Sequence, residues 1–157
     1  MAERERAALA EVRLWGRRVG AVAELASGEI VFEYDDQFRT SGLEISPVQL
    51  PLTTRGPQQF PELVGREAFM GLPGVLADAL PDRFGNAIIR SYFESRGRAD
   101  DALSPVQRLL YIGTRAMGAL ELLPPLDTRT GQEHEALEIA ELVKAARKVV
   151  QLSLIHI

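Results

Sequence analysis

The chain reads as an α+β protein: a small antiparallel meander sheet, then a helical segment, a further strand and a C-terminal helix. Three observations predict this. Ile30, Phe32 and Tyr34 alternate with Val31, Glu33 and Asp35, the period of two that marks a half-buried strand. Gly16 and Ser27-Gly28 fall between short apolar runs, where hairpin turns belong. Asp82 and Ser104-Pro105 have the chemistry of helix starts, a side-chain acceptor for free backbone N–H groups and, after Ser104, a proline where its missing N–H costs least.

In order along the chain, residues 1–10 form a polar lead-in. Val12, Leu14 and Trp15 begin a strand that ends at Gly16, and Gly16-Arg17-Arg18 makes a tight turn. Val19, Ala21, Ala23 and Leu25 share one face of a second strand. After Ser27-Gly28 the alternating segment completes a three-stranded meander over about 11–35. Residues 36–42 form a loop or one helical turn. Residues 45–52 carry Pro47 and Pro51, which permit an extended edge segment but not a central strand. Residues 53–65, with Pro57 and Pro61, read as a surface loop.

Phe69, Leu72, Val75, Leu76 and Leu80 have helical spacing, and a helix over 73–80 carries Pro73 in its first turn. Asp82 caps the next helix. Its apolar stripe is Phe84, Ala87, Ile88, Ser91 and Tyr92, and Gly97 ends it. The Ser104 helix carries Val106, Leu109, Leu110 and Ile112 and stops at Gly113. Residues 117–123 form a strand closed by Pro124-Pro125. Residues 126–151 are a linker and a helix. Thr130 and Glu133 have capping-box spacing there, and Ala136, Ile139, Ala140, Val143, Ala146 and Val150 line one side. The last six residues, Leu152-Ser-Leu-Ile-His-Ile157, are apolar and uncapped; they read as an artefactual tail after a native frame that stops near Val150 or Gln151.

The chain has 157 residues, 46% of them hydrophobic and 25% charged, which suits a folded domain with its own core. With a net charge of −4, no general attraction to phosphate backbones is expected, so no direct DNA binding. There are no cysteines, hence no disulfide framework and no thiolate metal site. The N-terminus lacks the apolar core of a secretory signal, and no apolar run approaches the ~20 residues of a spanning helix. The expected location is the cytoplasm.

Catalytic chemistry finds no footing. Phosphoryl transfer needs a phosphate cradle, a cation and magnesium ligands. No Gly-Lys pair is present, the only lysines are Lys144 and Lys148, and no kinase triplet of the His-Arg-Asp or Asp-Phe-Gly type occurs. His134 and His156 are the only histidines, too few for a metal site. Asp35-Asp36 and Asp100-Asp101 are adjacent pairs that point apart and read as solvated loop charges. Catalytic, cofactor-binding and metal residues are all assigned as none. Arg17-Arg18 is placed on a hairpin tip, as two solvated arginines rather than a contact for phosphate or an acidic partner. Arg83, Arg90, Arg96 and Arg98 are offset by Asp82, Glu94, Asp100 and Asp101. Most of Phe84, Tyr92, Phe93 and Tyr111 have the helical spacing of core rather than of a base-stacking platform. Trp15 is the best exposed anchor for a partner, although a residue of this kind is more often a partly buried packing residue.

Several pieces occur in a shared order: Leu14-Trp15-Gly16 with Val19-Gly20, Gly28 before Phe32 and Tyr34, Ile45-Ser46, and Leu50-Pro51-Leu52. Leu80-Pro81-Asp82 with Phe84-Gly85-Asn86 follows, then Leu103-Ser104, Arg108 to Gly113, and Met117 to Glu121. Over residues 11–125 this resembles the N-terminal domain of the HipA family of type II toxin–antitoxin serine/threonine kinases. The resemblance implies an α+β subdomain packed on a kinase core that is missing here. It implies a helix-turn-helix antitoxin as partner, and ATP and magnesium for the intact protein only. The glycine-rich loop and catalytic aspartates of such kinases lie beyond this sequence, so none is carried over. Two expectations follow: the non-catalytic front of such a kinase, or a stand-alone binding module that partners a separate one.

Overall fold

The computed structural model describes residues 8–25, 27–97, 103–116 and 118–124. His134, His156, Lys144, Lys148, Arg98, Asp100-Asp101 and the terminal helix lie outside the described residues, as does most of the N-terminal lead-in. The chain divides into two compact units, Met1–Leu80 with Ser104–Pro125, and Pro81–Leu103 with Leu126–Ile157.

The first unit holds a five-stranded antiparallel sheet, so the α+β reading stands. Its strands are β1 (Leu9–Leu14), β2 (Arg17–Glu24), β3 (Ile30–Tyr34), β4 (Gln58–Gln59) and β5 (Leu120–Leu123), in the order β4-β3-β2-β1-β5. The late strand returns beside the first, with Glu11 opposite Leu123 and Leu14 opposite Leu120. The meander therefore has its first strand in the interior of the sheet. Ala10, Val12, Val19, Val22, Ile30, Phe32, Tyr34, Leu120 and Leu122 are all buried and form the sheet's share of the core. Helix α1 (Asp36–Thr40) adds Phe38, and α4 (Pro105–Ile112) adds Val106 and Leu109.

The face of β2 differs from the simple alternation. Val12 pairs with Gly20 but Arg13 pairs with Arg18, so Val19 is the extra residue of a bulge. A bulge shifts the side-chain parity of everything beyond it. Val19 and Val22 are both buried, while Ala21 and Ala23 lie on the opposite face from Val22 and are only half-buried. At Gly20 the neighbouring strand leaves no room for a side chain; a Cβ there would run into the Glu33 carbonyl oxygen.

Residues 45–52 are not the edge strand. They close into a turn in which the Leu50 N–H donates to the Ser46 oxygen at 2.7 Å, and Leu50 is buried. The edge is β4, inside the stretch read as a surface loop. Pro57 and Pro61 flank it, so it is too short for alternation to reveal. The helix expected over 73–80 is shorter, α2 (Gly74–Ala77), with Pro73 at its N-cap rather than within its first turn. The Gly74 N–H is taken by Gln49 Oε1 at 2.6 Å, a cap supplied from 25 residues away. The last strand begins at Leu120, later than residue 117.

The second unit contains α3 (Arg83–Ser95), capped by Asp82, whose Oδ1 accepts from the Gly85 N–H at 2.7 Å. Asn86 Nδ2 donates to the Pro81 oxygen at 3.0 Å, tying the entering chain to the first turn. Gly97, at φ 68, follows the helix end as the sequence predicts. The buried stripe is Ile89, Tyr92 and Phe93. It is rotated by about one residue from the one expected, and it leaves Phe84 49% exposed. Helix α4 starts as predicted: Ser104 and Gln107 form a reciprocal capping box with Pro105 in the first turn.

Candidate interaction surface at the first hairpin

Leu14 pairs with Arg17, so only Trp15 and Gly16 form the β1–β2 turn. Both have positive φ, 50° and 75°, the type I′ pattern that matches strand twist and favours Asn-Gly or Asp-Gly. An L-residue with a large side chain in this conformation is strained by about 1–2 kcal/mol. Trp15 accepts that strain while 79% exposed. Trp15 is therefore exposed, not partly buried by packing.

Arg17 and Arg18 are not the tip; they are the first residues of β2. As successive strand residues they point to opposite faces. Arg17 places its guanidinium over the Phe38 ring, 5.7 Å from the centroid. Arg18 faces the other way, with its Nε 3.9 Å from both Glu11 Oε1 and Asp35 Oδ2. Glu11 is the surprise of this cluster. It is only 2% exposed and its Oε1 accepts from Arg13 Nε at 2.7 Å. Its Oε2 is buried without a hydrogen-bond partner. A buried carboxylate needs such cationic neighbours. The sequence signal was the set Glu11, Arg13 and Arg18 astride one turn, readable only once the bulge fixes which face each takes.

Asp35 and Asp36 do not form a carboxylate pair. Asp35 is the N-cap of α1, its Oδ1 accepting from the N–H groups of Gln37 at 2.9 Å and Phe38 at 3.3 Å, and Asp36 is the first helical residue. The aromatic residues make no stacking platform either. Tyr92 and Phe93 meet edge-on at 5.3 Å, and Arg96 lies over the Tyr92 ring at 4.8 Å. Among the described residues no three His, Cys, Asp or Glu converge as metal ligands.

A family model described as the HipA N-terminal domain matches residues 10–123. The chain belongs to the HipA N-terminal domain family. No curated protein gives a significant match to it. The HipA N-terminal domain match opens on β1 and closes on β5, two strands that are hydrogen-bonded neighbours. Many of the residues that carry the resemblance turn out to be architectural. Gly20 allows the β2–β3 approach, Asp82, Gly85 and Asn86 start α3, and Gly113, at φ 58, ends α4. No helix among the described residues is long and apolar enough to cross a membrane.

Proposed function

We propose that this chain is the non-catalytic N-terminal part of a HipA-like toxin serine/threonine protein kinase. In that reading a catalytic core supplied elsewhere binds ATP and magnesium and phosphorylates a protein target in the bacterial cytoplasm. A small helix-turn-helix antitoxin neutralises the toxin and contacts DNA, which this chain does not. The observation that carries the reading is the family match over the whole described sheet. It is supported by a sequence without a phosphate cradle, a Gly-Lys pair or magnesium-binding triplets. Titration calorimetry of the purified chain with Mg-ATP tests it: no binding heat is expected, and saturable micromolar binding would overturn it.

A second reading is a stand-alone domain that partners or regulates a separate kinase. The buried core of the sheet unit favours it, since the described residues of that unit form a hydrophobic core of their own. The reading frame downstream separates the two. An open frame running into a glycine-rich loop supports the first, and a stop near Gln151 supports the second.

A further inference from the structure

We propose that the β1–β2 hairpin tip is a docking site for an acidic segment of a partner protein. Trp15 would enter an apolar pocket or pack on an apolar side chain of that partner, and Arg17 would pair with its carboxylates. The inference stands on the hairpin geometry and holds whichever kinase reading is correct.

Four observations point there. The turn places a tryptophan where Asn or Gly is the relaxed choice and leaves it 79% exposed. Strained residues that persist on a surface gather at functional sites, and exposed Trp and Arg are the residue types that dominate binding energy at interfaces. Next, Arg17 is exposed, and its guanidinium lies over the Phe38 ring. Stacking on that ring fixes the guanidinium while leaving its N–H donors available to a carboxylate. Third, the acids nearby are already engaged: Glu11 is buried against Arg13, and Asp35 caps α1 and faces Arg18. Arg18 remains 53% exposed, a second cation beside the first. Finally, Arg13 and Arg18 already face Glu11 and Asp35, so Arg17 is the side chain beside Trp15 that is placed to meet a carboxylate of a partner. A nucleic acid fits less well, because the few arginines of this hairpin give few phosphate contacts and the net charge of −4 opposes a long polyanion.

The chain contains one tryptophan, so its intrinsic fluorescence reports on this tip alone. The probes are short synthetic peptides with adjacent Glu or Asp residues next to a Leu or Phe, their Gln/Asn counterparts, and a single-stranded oligonucleotide. Expected is a saturable blue shift with the acidic peptides, weakened about tenfold or more in Arg17→Glu, as loss of a charge-assisted contact predicts. The Gln/Asn peptides should give no response. A labelled acidic peptide followed by anisotropy should fail to bind Trp15→Asn, a variant that suits the turn and so keeps the fold; Arg17→Gln with a native circular dichroism spectrum guards against misfolding of the charge reversal. The proposal is overturned by no shift with any acidic peptide, or by an undiminished response in both Arg17 variants. Saturation by the oligonucleotide alone would overturn it too, as would a concentration-dependent blue shift without peptide, which would mark a second copy as the occupant.

Discussion

The hydroxyl of Tyr34 donates to the carbonyl oxygen of Leu50 at 2.7 Å, joining the end of β3 to the turn that replaces the expected edge segment. Both residues are buried, so the bond has no competing water. Tyr34 also stacks on Phe38 at 5.8 Å and meets Phe32 edge-on at 4.9 Å, which fixes the direction of its hydroxyl. One side chain thus holds sheet, helix α1 and the 46–50 turn in register.

Tyr34→Phe keeps the ring packing and leaves the Leu50 oxygen without its donor. The expected loss is about 1–2 kcal/mol, read as a lower urea midpoint at unchanged slope. Burial pushes the Tyr34 phenol up from 10.0 to about 12; the Glu44 charge adds to this and the backbone at Ile45 opposes it. The folded state therefore favours the neutral phenol. That contribution is fully present below pH 10 and is lost as pH rises from about 10 through about 12. Urea midpoints of the wild type should fall across that window, and Tyr34→Phe should show a smaller fall. Parallel curves for the two proteins would remove Tyr34 as the cause.

Gly20→Ala tests the close approach of β2 to β3. The new methyl would collide with the Glu33 carbonyl oxygen and press on Tyr34 Cα, both backbone atoms that cannot rotate away. Overpacking of this sort costs about 1–3 kcal/mol. Thermal unfolding should show a clear drop in Tm, whereas Gly16→Ala, with open space around it but a φ of 75°, should lose only the smaller conformational term.

Replacing glycine by alanine inside a helix ordinarily stabilises by about 0.5–1 kcal/mol. Gly85→Ala should reverse that sign, because a Cβ would stand 2.8 Å from Pro81 Cβ and 3.4 Å from Asp82 Oδ1. It would push apart the cap that Asp82 makes to Gly85 N–H at 2.7 Å. Asp82→Ala should cost about 1 kcal/mol through the same bond. Hydrogen exchange of the first-turn amides of α3 is the direct readout, and both variants should speed it.

Trp15→Asn should raise stability by about 1 kcal/mol, since Asn tolerates the left-handed conformation that Trp holds at φ 50. A rise in the urea midpoint checks it. A fall would mean that the indole packs in solution more than its exposure indicates.

Several features of this fold were legible in the residue order because their causes are local. The alternation from Ile30 to Tyr34 makes one strand face apolar whatever surrounds it. Asp82 and Ser104 satisfy N–H groups within three residues of themselves, and Gly97 and Gly113 adopt helix-ending backbone that other residues resist. The absence of Gly-Lys is a property of the residue order too, and it restrains the functional reading as firmly as any contact. Other features arise from partners far apart in the chain. The bulge at Val19 depends on how β1 registers against β2, and that one-residue shift decides that Arg17 stacks on Phe38 while Arg18 turns to Glu11. Gln49 caps α2 across 25 residues, and β5 makes β1 an interior strand from more than a hundred positions later. Register, burial and long-range capping are properties of which surfaces meet; a linear pattern specifies the surfaces but not their encounter.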